Sequence, residues 1–178
     1  APWYFAEAYF YVRLLAIIGY FEGHSDDPFQ KRKEALLAEC HSLMPSLAQA
    51  QQFTDRAVPE TAFSLLTRRA LWGNRLDLSN EPIMKRHRGD PSHMEDSDLL
   101  VDDCAAAFHT ILNAGTNRPV VFECDNSGPE IVGDLHLADW LLEHATDRVI
   151  LELKTQPFFI SDAMVKDARD AINYLRAA

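Results

Sequence analysis

Two short apolar runs in the last third of the chain constrain its fold more than any other feature. Residues 119–124 and 149–153 are nearly continuous apolar stretches, a pattern typical of strands buried on both faces. Between them, Pro129 to His144 is predicted to form an amphipathic helix. A strand, a helix and a second strand in close succession form a βαβ unit, whose strands are parallel and whose crossover is right-handed. The sequence therefore predicts an α/β fold.

Three helices are predicted before this unit. Apolar residues at helical spacing predict a first helix from Pro2 to about Gly19. A second is predicted over about 29–44, ending at Pro45, and a third over about 59–71. We expect residues 1–78 to form a helical N-terminal subdomain.

The sequence changes character after this helical part. Residues 79–97 are polar and are predicted to form a surface linker. A helix over 98–113 leads into the first strand, and a last helix over about 163–176 follows Ser161 and Asp162, which are both good N-cap residues. Residues 98–178 are thus expected to form the α/β domain.

Charge, hydropathy and cysteine spacing exclude several classes of protein. The chain has 178 residues, 27 of them acidic and 17 basic, for a net charge of −10, and this balance argues against nucleic acid as a partner. The longest apolar stretch, residues 12–21, is too short to span a membrane. Cys40, Cys104 and Cys124 are scattered, which argues against a disulfide framework or zinc knuckle and favours an intracellular location, cytoplasmic or nuclear.

Polar side chains follow both predicted strands. Asp125 and Asn126 come directly after the first, and Lys154 and Asp162 come after the second. Ligands of open α/β sheets bind outside the carboxyl ends of the strands, and two carboxylates with an amide oxygen suit Mg²⁺ or Mn²⁺. The alternative is structural: Asp125 and Asp162 as helix caps beside an asparagine turn, and Lys154 as an ordinary surface lysine.

The helix after the first strand is a second candidate feature. Ser127 and Gly128 open it, and their backbone N–H groups are expected to favour a nearby anion. Other catalytic patterns are missing, because the sequence has no G-x-S-x-G, H-E-x-x-H or P-loop motif and no G-x-G-x-x-G after the first strand.

Four ordered blocks of sequence resemble the metal-dependent damage-control phosphatases, first described as domain of unknown function 89. The nearest branch is the acidic residue methyltransferase-like, sugar-phosphate phosphatase subfamily. The blocks are Pro2-Trp3-Tyr4-Phe5-Ala6-Glu7, Leu71-Trp72-Gly73-Asn74 with Asp77, Asp125-Asn126-Ser127-Gly128-Pro129-Glu130, and Lys154 to Asp162.

The resemblance implies a helical N-terminal bundle on an α/β/α sandwich with a mostly parallel sheet, present here in part. It also implies hydrolysis of small phosphometabolites such as fructose 1-phosphate or fructose 6-phosphate. The family's metal ligands match Asp125, Asn126 and Asp162, which would hold manganese, cobalt, nickel or magnesium. The nucleophile is either a water molecule or Asp125 itself, Lys154 would neutralise phosphate charge, and the Asn74 turn is expected to lie against the site.

Other residues and other functions stay open at this stage. Glu7 forms an ion pair elsewhere in the structure or lies near the site, and Asp77 either caps a turn or contacts the site. Family members carry further substrate-binding motifs downstream, which leads us to expect the first part of a larger enzyme with an incomplete substrate pocket. The alternatives are a non-catalytic fragment or interaction module of the same fold, and a carboxyl methyltransferase, which no glycine-rich loop supports.

Overall fold

The structure is a computed structural model that describes residues 2–73 and 99–177. Asn74, Asp77 and the predicted linker at 79–97 lie outside these residues. The helices in chain order are α1 (Trp3–Ile17), α2 (Gln30–Glu39), α3 (Met44–Thr54), α4 (Pro59–Gly73), α5 (Cys104–Ala114), α6 (Pro129–His144) and α7 (Val165–Ala177). The strands are β1 (Val120–Glu123) and β2 (Val149–Glu152), and a 3₁₀ turn, Cys40–Leu43, follows α2.

The predicted N-terminal helices are present, together with one helix that the sequence analysis missed. Pro45 was expected to end a helix, and it lies instead in the first turn of α3. Proline is tolerated there because the first backbone N–H groups of a helix have no intrahelical partner. A 3₁₀ turn at Cys40–Leu43 joins the two helices. Pro45 is therefore compatible with the start of α3, while α2 ends earlier, at Glu39.

The βαβ unit is present and its strands are parallel. β1 and β2 pair in register from Val120 with Val149 to Glu123 with Glu152. The α/β class predicted from the two apolar runs is thus confirmed. Because both strands point the same way, their carboxyl ends meet at one edge of the sheet, and Asp125 and Lys154 follow at that edge.

The expectation that both faces of these strands are buried is wrong for the described residues. Val120, Phe122 and Val149 pack against the hydrophobic core, whereas Val121 and Ile150 on the opposite face are exposed. Strand side chains alternate between faces, and the helices of the described residues cover only one of them. A continuous apolar run shows that a strand is made of apolar residues. It does not show whether helices cover both faces of the sheet.

The core is built where α4 crosses α6. Its buried side chains include Phe63, Leu66, Trp140 and Leu141. A Cβ placed on Gly133 would lie 3.0 Å from the Cα of Ala70, so the missing side chain allows the two helix backbones to approach closely. This packing fixes the start of α6, which follows directly on the loop that carries Asp125 and Asn126.

A second core cluster lies on the same side of the sheet. Cys40, Ile131, Val132 and Ala168 are buried in it, so α6 is packed against α7 and the end of α2. All three cysteines are buried and free. Within the described residues, no helix is long and apolar enough to cross a membrane.

Candidate functional site

Two loops at the carboxyl edge of the sheet form the candidate site. The loop after β1 and the loop before α7 meet in an antiparallel bridge between Asn126 and Asp162. The Ala163 N–H donates to the Asp125 carbonyl oxygen at 2.7 Å, and the Ser127 N–H donates to the Ser161 carbonyl oxygen, also at 2.7 Å. The backbone therefore brings the three predicted metal ligands together before any side chain takes part.

The Asn126 side chain is held by three neighbours. Its Oδ1 accepts a hydrogen bond from Ser161 Oγ at 2.7 Å, and its Nδ2 donates to Glu130 Oε2 at 2.9 Å and to Asp125 Oδ2 at 3.2 Å. Asn126 and Ser161 are buried, so the bond between them forms away from bulk water, whereas the bonds to Glu130 and Asp125 are partly buried. The amide is therefore fixed beside the Asp125 carboxylate.

Lys154 pairs with Asp125 across the edge of the sheet. Lys154 Nζ lies 3.0 Å from Asp125 Oδ1, and both side chains are about half exposed to the pocket. Partial burial lowers the pKa of Lys154, but the hydrogen bond and charge of Asp125, with a further contribution from Asp162, raise it overall above its usual value. The lysine thus remains a positive charge on the rim of the site.

Asp162 is the buried carboxylate of the site, with 3% of its surface exposed. Its Oδ2 accepts the Phe159 N–H at 3.0 Å. Burial raises the pKa of Asp162, and the Asp125 charge raises it further, against the opposing effects of the Phe159 N–H and Lys154. The negative charges of Asp125 and Asp162 repel each other, so a cation bound between them would stabilise their ionised forms.

These residues share one pocket of about 320 Å³. It lies between the two loops and the start of α1, and Glu7 is on its wall, so the structure brings this predicted residue to the site as well. Its lining residues are Trp3, Tyr4, Glu7, Asp125, Asn126, Lys154, Phe158, Phe159, Ser161 and Asp162. Asn74, the remaining predicted site residue, lies outside the described residues.

The donor set fits a hard divalent cation. Asp125, Asn126 and Asp162 offer carboxylate and amide oxygens, which Mg²⁺ and Mn²⁺ prefer. Among residues 2–73 and 99–177 no three His, Cys, Asp or Glu side chains form a cluster that could hold a metal, so a cation here would depend on the Asn126 amide and on water or substrate. Asp125, Asn126 and Asp162 are the residues that would hold it.

Two predictions about these loops are wrong. The Ser127 N–H is already bonded to Ser161, and Ser127 and Gly128 line a different cavity beside Lys33, so the start of α6 does not face the pocket. Ser161 and Asp162 do not cap the last helix, because α7 begins only at Val165. Their side chains bond within the site instead, which is why the helix starts later.

Several further residues of the site were not predicted from the sequence. Glu130, which was part of a family block, holds the Asn126 amide. Tyr4 and Phe159 form an aromatic wall, with ring centroids 6.2 Å apart. The family blocks contained all three residues, and their position inside those blocks was the available signal.

A match to a known family agrees with this fold and with the residues of the site. The family model described as the damage-control phosphatase ARMT1-like domain matches residues 1–178. The chain belongs to this family, as the four sequence blocks indicated.

Individual relatives agree with the family match. The chain is 28% identical to damage-control phosphatase ARMT1 of Bos taurus over 197 residues, covering 99% of this chain and 44% of that protein. It is 29% identical to the Homo sapiens protein of the same name, covering 94% of this chain and 42% of that protein. The Danio rerio protein is 28% identical, with 100% and 44% covered. The chain therefore spans less than half the length of these curated relatives.

Proposed function

We propose that this chain carries the metal site of a metal-dependent phosphatase that hydrolyses small phosphometabolites, with fructose 1-phosphate and fructose 6-phosphate as the first candidates. The observation that carries the proposal is the pocket in which Asp125, Asn126, Asp162 and Lys154 converge at the carboxyl edge of two parallel strands. The names of the relatives, damage-control phosphatases, support the same reaction.

Two sources of positive charge would act on the phosphate, a bound metal and Lys154. A divalent metal held by Asp125, Asn126 and Asp162 would polarise the phosphoryl oxygens. Lys154 adds a positive charge on the same rim, which lowers the cost of bringing a phosphate dianion into a protein whose net charge is −10. Asp125 is the more exposed of the two carboxylates and so is the one that can meet substrate.

The pocket also suggests how the rest of the substrate is held. Trp3 and Tyr4 from α1 line the same pocket as the carboxylates, and Glu7 adds a hydrogen-bond acceptor to the lining. An aromatic surface next to a carboxylate is suited to the apolar face and the hydroxyl groups of a sugar. This arrangement supports a sugar phosphate as the substrate.

Phosphate release tests the proposal. The chain is incubated with fructose 1-phosphate, fructose 6-phosphate or p-nitrophenyl phosphate in the presence of Mn²⁺, with and without EDTA. We expect hydrolysis that EDTA abolishes and that Asp125→Ala and Asp162→Asn remove, with Asp147→Asn as an exposed acidic control. Mn²⁺ binding without phosphate release would favour the non-catalytic module, and hydrolysis that survives Asp125→Ala would refute the proposed site.

A further inference from the structure

We propose that Lys33, a residue of α2 outside the pocket, is a positioning residue for Asp162. The inference rests on the proposed function only in that Asp162 is taken to hold the metal. Lys33 is 2% exposed and belongs to none of the sequence blocks that the family resemblance used. Its position is defined by a largely buried cluster of four charged side chains, called here the ionic cluster: Asp27, Lys33, Lys166 and Asp167.

The ionic cluster joins three segments of the chain. Lys33 Nζ lies 2.9 Å from Asp27 Oδ2 and 3.1 Å from Asp167 Oδ2. Lys166 Nζ lies 3.2 Å from Asp27 Oδ2 and 2.7 Å from Asp167 Oδ1. Burial raises the pKa of Asp27, but hydrogen bonds from Lys33 and Phe29 lower it overall, so the Asp27 carboxylate stays charged.

Stability alone is a weak reason for such a cluster. Buried ion pairs are often no more stabilising than apolar side chains of the same size, whereas their geometry is far more specific. The two lysines and two aspartates also balance in charge, so the cluster has no net charge, although the Lys33 charge still acts to lower the pKa of Asp162. The ionic cluster is distinguished by its connection to the segment 159–164, which contains Asp162.

The first connection runs through α7. Asp167 Oδ2, the atom that Lys33 contacts, also accepts the Met164 N–H at 2.9 Å. Met164 follows Ala163, whose N–H bonds to Asp125 and whose carbonyl accepts the Lys154 N–H at 2.9 Å. Lys33 thereby fixes the chain immediately after Asp162, at the point where it bonds to both strand-end loops.

The second connection runs through aromatic rings. Asp27 Oδ1 accepts the Phe29 N–H at 2.8 Å, and the Phe29 ring contacts Tyr11 with centroids 5.9 Å apart. Tyr11 contacts Phe159 at 5.2 Å, and the Phe159 N–H donates to Asp162 Oδ2. The segment 159–164 is therefore held at both ends by contacts that lead back to Lys33 and its partner Asp27.

Hydrogen exchange and Mn²⁺ titration of the same variants test the proposal. In Lys33→Met, we expect the amides of Phe159, Ala163 and Met164 to exchange about ten-fold faster, while the β1 amides keep their rates. We also expect the Mn²⁺ dissociation constant to rise about ten-fold, as it does when groups that orient metal ligands are removed. Lys31→Met, an exposed lysine on the same helix, is the matched control and should change neither quantity.

A second variant covers the case in which Lys33→Met does not fold. The double variant Asp27→Asn with Lys33→Met removes one charge of each sign, so the cluster stays balanced, and the new asparagine side chain can still accept the Phe29 N–H. Unchanged exchange at 159–164 in a folded variant, or faster exchange spread evenly over the chain, overturns the positioning role. If the wild-type chain binds no Mn²⁺, the metal-dependent phosphatase fails, but the exchange rates still decide whether Lys33 holds the segment.

Discussion

Ser161 Oγ donates a 2.7 Å hydrogen bond to Asn126 Oδ1, and this contact joins the loop after β1 to the loop before α7. Both residues are buried, and the Ser161 carbonyl also accepts the Ser127 hydroxyl at 2.9 Å. The two loops thus share a polar network within the protein interior. The relative position of Asn126 and Asp162 depends on this network as well as on the backbone bridge.

Replacing Ser161 by alanine should therefore weaken both stability and metal binding. The lost bond leaves a buried amide oxygen with one donor fewer, which costs about 1–3 kcal/mol in the free energy of unfolding. We expect that decrease in urea denaturation, together with weaker Mn²⁺ binding by calorimetry. Ser42→Ala is the control, because the exposed Ser42 hydroxyl donates to the Glu39 carbonyl oxygen within its own turn. Equal effects of the two substitutions would contradict the role assigned to the Ser161 hydroxyl.

Gly128 sets the direction in which the chain leaves Asn126 and enters α6. Its φ is +82°, and a Cβ at this position would lie 2.9 Å from Leu36 Cβ. Gly128→Ala should lower the free energy of unfolding by about 2–4 kcal/mol, because backbone strain and a clash in the core add together. Gly23→Ala is the comparison, since Gly23 has a φ of +73° and nothing lies within 4 Å of the new Cβ, whereas Gly128 combines its positive φ with a ψ of −135° that strains any other residue further. Gly23→Ala should lower the free energy of unfolding by only about 1 kcal/mol, measured by urea denaturation. If Gly128→Ala lowers it by no more than that, the predicted clash with Leu36 is contradicted.

The sequence was informative wherever a local pattern determines the outcome. The apolar runs at 119–124 and 149–153 predicted the parallel strands, and strand ends predicted the meeting of Asp125 with Asp162. Lys33 could not be found in this way. It lies within Gln30-Lys31-Arg32-Lys33-Glu34, and its residue type does not distinguish it from its exposed neighbours Lys31 and Arg32. Only its partners, Asp27 nearby and Asp167 on the last helix, explain its burial.

The same limit explains the two errors in the loops. Ser161 and Asp162 are good caps by residue type, but the antiparallel bridge between Asn126 and Asp162 extends the chain and delays α7 to Val165. The Ser127 N–H was expected to meet an anion, and that bridge occupies it with Ser161. In both cases a contact between segments distant in sequence overrode a local preference.

Asp134 makes the stability of the chain depend on pH. Burial, and then the negative charge of Glu130, raise the pKa of Asp134 to about 7, from 3.8. Because the folded state holds this proton more tightly than the unfolded state, Asp134 favours folding less and less as pH rises from about 4 to about 8. Asp134→Asn should remove that dependence. We expect it to stabilise the chain by up to about 4 kcal/mol at pH 8 and to change little at pH 4, measured by urea denaturation at both values. Asp139→Asn, an exposed acid on the same helix, should show no such difference.

Lys154 is the remaining charge on the rim of the pocket, and its substitution separates phosphate recognition from metal binding. Lys154→Gln keeps a side chain of similar length and removes the positive charge that lies 3.0 Å from Asp125. A donor that stabilises phosphoryl charge contributes more to the transition state than to the ground state. We therefore expect kcat/KM for p-nitrophenyl phosphate to fall about 100-fold.

Because Lys154 is not a metal ligand, the Mn²⁺ dissociation constant should change much less than in Asp162→Asn. Lys31→Gln is the matched control for removing a lysine charge. Unchanged kcat/KM, or a loss fully explained by weaker Mn²⁺ binding, would show that Lys154 only orients Asp125.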